Sequence, residues 1–344
     1  MRRVRRGRSW AGTGMRVRTG SSVASFTLSS VTAPTYQRWR PALRLIRPLA
    51  ARHQHSLADV AAKQARLFIT HDVAIPGGES PFAIDIYRPI GRPDPLPVLI
   101  WWHGGGFVAG EKSAACCLAT GLAEATGCVV ISADYALSPE SAYPTAVLQG
   151  HTLLTYVAAN AAALGIDPQR VVLGGDSAGS GLAAQLVGMQ TNPQLAQRMG
   201  TTPADLTVRG AVLYCGPSNM DTLAQTGFPF LKVFLPAYTG RRDWHSLARL
   251  DELSAVKWVT PDWPPTLLTG GDADPMTAQV IELRDALHRN GVQTVTDIHE
   301  ATGEGLGHEY EVRYDTVAGR HVLDLTASFL RDHLGETRSA DTEV

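Results

Sequence analysis

In Gly175-Asp176-Ser177-Ala178-Gly179 a serine sits between two glycines. The β-branched run VVLGG leads into it, and helix formers follow in SGLAAQLVGMQ. A G-x-S-x-G turn between a strand and a helix is sharp and strained. It leaves little room for side chains at its glycines and lifts the Ser177 hydroxyl to a helix N-terminus. A hydroxyl is a poor nucleophile until a base takes its proton, so the chain should supply a histidine and an acid to orient it. The acid is expected after the apolar run PTLLTGG, in Asp272-Ala273-Asp274-Pro275. Asp274 precedes a proline that stiffens the turn, and it is preferred over Asp272, which lies nearer the strand end. The base is expected at His308, in the glycine-rich stretch EATGEGLGHEY. His299 competes, but it lies too early to reach Ser177. His288 and His321 fall in helical patterns and read as solvated or packed residues. Acyl transfer also needs N–H donors for an oxyanion. The glycines of WWHGGGFVAG can turn bare backbone toward a carbonyl oxygen, and the Ala178 N–H adds a further donor. His103 reads as a pin for this loop.

These groups need a frame that brings them to one edge. The order of patterns supplies it. HDVAIPGGESPFAIDIYRP reads as strand, turn, strand, broken at Pro76-Gly77-Gly78. PVLIWW is a short continuous apolar run, as in a strand buried on both faces. Helix and strand then alternate through CVVISADY, RVVLGG, VRGAVLYCG, PTLLTGG and QTVTDIH, and the last helix is TVAGRHVLDLTASFLRDHL. Such alternation predicts an α/β fold with a mostly parallel sheet and helices on both faces. Between Gly216 and Pro261 no strand–helix pair is expected. An excursion of that length reads as a lid over the C-terminal edge of the sheet.

Composition narrows the function classes. The 344 residues carry 31 lysines and arginines against 32 acids, so no nucleic-acid partner is expected. Hydrophobic content of 44% and charged content of 18% fit a soluble globular chain. No apolar run approaches the roughly 18 residues of a span, so no stable membrane insertion is expected. The four cysteines read as free thiols in a reducing compartment, which favours a cytoplasmic location. From Met1 to Ser56 there is no acid and no lysine, only recurring arginine. That leader reads as disordered, with an organelle transit peptide or an anion-binding arm as rival readings.

Together these residues resemble the hormone-sensitive-lipase family of α/β-hydrolase fold esterases, over roughly Phe68 to Leu334. His103-Gly104-Gly105-Gly106 looks like the family's HGGG motif and Gly175 to Gly179 like its GDSAG elbow. DYALSPESAYP is similar to its D-Y-R-L-A-P-E segment, with Ala136 and Ser138 in place of arginine and alanine, and DADP resembles its D-P-L acid motif. The resemblance implies an α/β-hydrolase fold with a helical cap, and oxyanion donors at Gly105, Gly106 and Ala178. It divides the chain into a basic leader (1–33), N-terminal cap helices (34–67), a first core part (68–215), a cap insertion (216–261), a second core part with acid and base (262–334) and a tail (335–344). The loop to His308 looks about four residues longer than the family's.

The expected activity is serine carboxylesterase turnover of short-to-medium acyl esters, with Ser177, Asp274 and His308 as triad and no cofactor or metal. The expected partner is a small-molecule ester, and a homodimer is left open. Phe107, with Phe230, Phe234 and Tyr238 at four-residue spacing, is expected at the substrate pocket, against the plainer reading of cap-to-body packing. Amidase or aryl-formamidase chemistry on the same triad is the nearest alternative. A ligand receptor on a hydrolase scaffold is the alternative of another class. His308 must be neutral to act, so activity should fall in acid near the ordinary histidine pKa of about 6.5, as modified by the neighbouring carboxylate.

Overall fold

The computed structural model describes Arg47, residues 59–76 and residues 81–335. The expected leader, most of the N-terminal cap segment and the tail beyond residue 335 lie outside these residues. Eight strands among the described residues form one sheet: β1 (Leu67–Ile75), β2 (Phe82–Pro89), β3 (Leu96–Trp102), β4 (Val129–Ala133), β5 (Ile166–Asp176), β6 (Val208–Tyr214), β7 (Thr266–Gly270) and β8 (Thr294–Ile298). Their spatial order is β1-β2-β4-β3-β5-β6-β7-β8. Strand β2 runs antiparallel to β1 and to β4, and the remaining pairs are parallel.

The apolar runs explain the central strands. All seven residues of β3 and all five of β4 and of β7 are buried. Alternate residues serve opposite faces. Val98, Ile100 and Trp102 join one core cluster, while Leu99 and Trp101 join the other. Ten helices with described bounds follow in chain order: α1 (Val60–Gln64), α2 (Cys116–Thr126), α3 (Thr145–Ala159), α4 (Ala161–Leu164), α5 (Ala178–Thr191), α6 (Pro193–Arg198), α7 (Met220–Leu223), α8 (Leu231–Thr239), α9 (Thr277–Arg289) and α10 (Val317–Leu334). Helices α3, α5 and α9 contribute to the first cluster, and α2 and α10 to the second. Both faces are therefore covered, as a parallel sheet requires. None of the helices is long and apolar enough to cross a membrane, among the described residues.

Two details depart from the sequence reading. The stretch SLADVAAKQARLF has helical spacing of its apolar residues, but among its described residues helix α1 covers Val60–Gln64 and the chain is already extended at Leu67. Helix α6 was not expected. Asn192 caps it by accepting the Gln194 N–H, and Pro193 stands at its first turn, a pairing that starts helices well. The insertion between β6 and β7 holds α7, α8 and several single 3-10 turns, with no strand among its described residues. It is tied to the body by buried Glu252, which accepts hydrogen bonds from the Tyr143 hydroxyl at 3.0 Å and from Arg249 Nε at 2.7 Å.

Register sets the site. Trp102 of β3 pairs with Gly175 of β5, and Asp176 pairs with Tyr214 of β6. The chain passes from β3 outward to β4 and then returns to β5 on the other side. The crevice at such a reversal is where open α/β sheets bind ligands. Helix α5 must rise from that point in close contact with both strands. A Cβ at Gly175 would collide with the Gly179 backbone, and a Cβ at Gly179 with the Trp102 carbonyl. Gly179→Ala should therefore destabilise the fold by about 1–3 kcal/mol, as overpacked sites do. The check is a urea denaturation midpoint beside wild type, and an unchanged midpoint would contradict this contact.

Candidate active site

Strand β5 delivers Ser177 in an unusual backbone conformation, φ 49° and ψ −116°. The strained turn is held by the Ser177 N–H, which donates to the Tyr214 carbonyl at 2.9 Å. Its side chain points at His308. Ser177 Oγ lies 2.8 Å from His308 Nε2, and His308 Nδ1 lies 2.9 Å from Asp274 Oδ2. Asp274 leaves the end of β7 in a tight turn. Its Oδ1 accepts the Met276 N–H at 2.8 Å, and its side chain is fully shielded from solvent. The carboxylate is thereby fixed in position and presents its other oxygen to the imidazole.

Asp272 serves the loop instead. Its carboxylate accepts the Leu306 N–H at 2.7 Å, the Gly305 N–H at 3.2 Å and the Thr302 hydroxyl at 3.1 Å. Desolvation works against its charge, but these donors outweigh it and draw the pKa down to about 2. The long loop to His308 is thus pinned to the end of β7. His299 lies apart, beside Asp297 at 3.3 Å and Glu304 at 3.5 Å. His103 keeps Nδ1 2.7 Å from the Gly104 carbonyl and stacks on Tyr135 at 4.4 Å, as a loop pin would.

The glycine loop follows β3. Gly105 and Gly106 stand at φ 113° and 62°, conformations that favour glycine. The Gly104 N–H donates to Asp176 Oδ2 at 2.8 Å, and Trp101 Nε1 donates to Asp176 Oδ1 at 2.9 Å. Burial first, and then the charge of Glu309, push the Asp176 carboxyl up to about 7 against these donors. At His308 burial disfavours the imidazolium. The hydrogen bond to Asp274 and the charges of Glu309, Asp274 and Glu311 together outweigh burial and raise the pKa to about 9. Glu311 is itself fully buried against the Thr269 hydroxyl, and burial lifts its carboxyl to about 7.

A cavity of about 370 Å³ opens on Ser177 and His308. Gly104, Gly105 and Gly106 form one wall, and Phe228, Phe230 and Phe234 of the insertion form another. Phe228 meets the His308 ring edge-on, with centroids 4.6 Å apart. Phe230 and Phe234 are at this cavity. Phe107 and Tyr238 are not at the cavity. They stack on each other at 3.8 Å with nearly parallel rings and join the cap to the body. Tyr238 lies one helical turn beyond Phe234 and meets Phe107 instead, while Phe230 stands before α8 in a left-handed conformation. Trp101, Phe228, Glu309 and Tyr314 line the cavity without having been anticipated.

Among the described residues one donor set has the spacing to take a metal: Cys215, Asp274 and His308 hold ligand atoms within 4.8 Å of one another. Two of these are already hydrogen-bonded to each other, and burial raises the Cys215 thiol well above its ordinary pKa. The set reads as an acid–base pair with a buried neutral thiol behind it. The two aspartates then predict different defects. Asp274→Asn should lower kcat on the order of 10⁴-fold, because the imidazole loses its orienting carboxylate. Asp272→Ala should cost on the order of 10²-fold through a misplaced loop. Parallel kcat measurements rank them, and the reverse order would reassign the acid.

The alpha/beta hydrolase fold family description matches residues 99–310. Carboxylesterase NlhH of Mycobacterium tuberculosis is 31% identical over 205 residues, which span 57% of this chain and 57% of that protein. Esterase LipI of the same organism is 29% identical over 244 residues, 67% of this chain and 72% of its own. Among solved structures, a thermostable carboxylesterase cloned from a metagenomic library is 26% identical with a TM-score of 0.65, covering 87% of this chain and 96% of that one. Esterase B from Lactobacillus rhamnosis, 21% identical with a TM-score of 0.72, covers 86% and 96% and shares the fold. With the sheet order, the elbow and these matches in hand, the chain belongs to the α/β-hydrolase family, in its hormone-sensitive-lipase-like group.

Proposed function

We propose that this protein is a serine carboxylesterase that hydrolyses small-molecule esters with short-to-medium acyl groups. The observation that carries the reading is the unbroken chain from Ser177 Oγ to His308 to Asp274, at 2.8 and 2.9 Å, beside a glycine loop. Esterase names among the relatives support the reaction class. A cavity walled by phenylalanines supports an apolar acyl or alcohol group, and its size supports a small one.

In this mechanism Ser177 Oγ attacks the ester carbonyl carbon while its proton passes to His308 Nε2. The carbonyl electron pair moves onto oxygen, which the N–H groups of Gly105, Gly106 and Ala178 receive. Asp274 stabilises the imidazolium without taking its proton. Collapse of the adduct breaks the bond to the alcohol oxygen, and Nε2 returns the proton to that oxygen. The acyl group is now an ester of Ser177. Water then gives a proton to Nε2 and attacks the same carbon, and the second collapse releases the acid and restores the Ser177 hydroxyl.

Ser177→Ala should abolish turnover and leave the thermal midpoint near wild type. A fluorophosphonate probe should label the wild type and spare this variant. Labelling with no ester turnover would favour a different acyl substrate, such as an amide, and no labelling would favour a receptor on this scaffold. The pH profile gives a second test. Only neutral His308 accepts the proton, and its surroundings favour the charged form. The acid limb of kcat/KM should therefore lie above pH 6.5, with activity lost as pH falls through it. His308→Ala should remove both turnover and limb, while His299→Ala keeps both. A dead His299→Ala enzyme would move the base one strand end earlier.

A further inference from the structure

Glu309 follows the base directly, with its backbone at φ 60°. Glycine holds that conformation freely and a side chain does not. The turn itself has no need of a carboxylate, yet one is present and buried. Its Oε1 lies 3.9 Å from His308 Nε2, the nitrogen that faces Ser177. The same oxygen presses on the oxyanion loop: a Cβ at Gly104 would collide with both Glu309 Oε1 and Asp176 Oδ2. Glu309 thus touches the two loops whose relative position decides whether an ester is held for attack.

We propose that Glu309 is a positioning residue for the hydrolysis proposed above: its carboxylate braces the base loop against the first glycine of the oxyanion loop and holds the imidazolium that His308 becomes. Its place differs from that of every other charged group around the ring. Asp274 comes from the turn after β7 and works on Nδ1. Glu311, on the same loop as the base, is hydrogen-bonded to Thr269. Cys215, at the end of β6, is a buried neutral thiol. Ser177 from β5 and Phe228 from the cap meet the ring without charge. The charge of Glu309 reaches Asp176 from β5, His103 after β3 and Tyr135 after β4. Asp176 takes the Gly104 and Trp101 N–H groups, and Tyr135 donates to the His103 carbonyl. Among the described residues, Glu309 is the acid paired with the nitrogen that gains and loses the proton. Its charge is also one of the causes that raise the His308 pKa.

An opposite charge at this range favours the imidazolium by about one pKa unit or more. The test uses two variants of the full chain. Glu309→Gln keeps the shape and removes the charge. Glu309→Gly removes the side chain at a φ that glycine prefers, so it keeps a foldable backbone. The first readout is the nitrogen-15 NMR titration of the His308 imidazole without substrate. Both variants should titrate about one unit or more below wild type. The second readout is the pH profile of kcat/KM for ethyl butanoate, followed by pH-stat. Its acid limb should move down by a similar amount, and the plateau should fall about tenfold as the imidazolium loses its neighbour. An imidazole that titrates as in wild type in both variants overturns the proposal. So does a profile lowered evenly with its limb in place, which is what a purely structural role predicts. If wild type hydrolyses no ester but the titration still shifts, the esterase reading fails while the pairing of Glu309 with His308 stands.

Discussion

The 2.8 Å approach of His308 Nε2 to Ser177 Oγ joins residues 131 positions apart, and much of the architecture answers to it. Ser177 is set by the end of β5, while His308 lies on a loop that follows β8 at the sheet edge. Two strands lie between them. A parallel arrangement puts the ends of β5, β6, β7 and β8 on one side, so the loop has to cross only the crests of β6 and β7. The crossing is secured at its midpoint by β7. Asp272 takes the loop backbone and Asp274 takes the imidazole. One strand end therefore controls both where the base loop runs and how its ring is turned. The conformational strain at Ser177 can persist because the surrounding contacts fix it from several sides.

That geometry was legible to different depths in the sequence. Central strands such as PVLIWW announce themselves because a strand covered on both faces has no polar position to alternate with, and all of β3 is buried. The elbow was legible because only glycine fits at Gly175 and Gly179, where neighbouring backbone occupies the space of a side chain. Asp274 and His308 could be named from residue type and chain order. What the order left open was the use of Asp272, since an acid that caps a loop and an acid that orients a histidine look alike two residues apart. The aromatic spacing was a weaker guide. Four-residue spacing says that Phe234 and Tyr238 share a helical face, and nothing about what lies opposite. Phe234 met the cavity and Tyr238 met Phe107. Glu309 escaped notice because its position depends on a left-handed turn that glutamate does not advertise.

The charges near the base act in opposing directions. Desolvation by burial disfavours the imidazolium, and Asp274, Glu309 and Glu311 favour it. In the proposed hydrolysis the same acids would be unwelcome to an oxyanion, which needs positive or dipolar groups. The structure separates these demands. Asp176, nearest the oxyanion loop, is surrounded by donors from Trp101 and Gly104, and burial together with Glu309 favours its neutral form up to about pH 7. Below that value the side of the site nearest Gly104 carries less negative charge than its residue types imply. The imidazole side keeps the carboxylate of Asp274 in direct contact.

The cap adds to this electrostatic balance by limiting water. Phe228 lies edge-on to the imidazole, and the Phe234 ring rests on Gly106. Apolar rings at these positions take up space that screening water would otherwise fill, and charges interact more strongly where solvent is displaced. The cap is fixed to the body by two kinds of contact that do not depend on substrate: the Phe107–Tyr238 stack and the buried Glu252 network with Tyr143 and Arg249. Ahead of those cap anchors in the chain, the stretch Phe228–Phe230 is less buried, and Phe230 is 54% exposed. Variation in substrate fit is therefore most easily absorbed there. Farther along α8, Phe234 faces both the cavity and Gly106, while Tyr238 is committed to packing on Phe107.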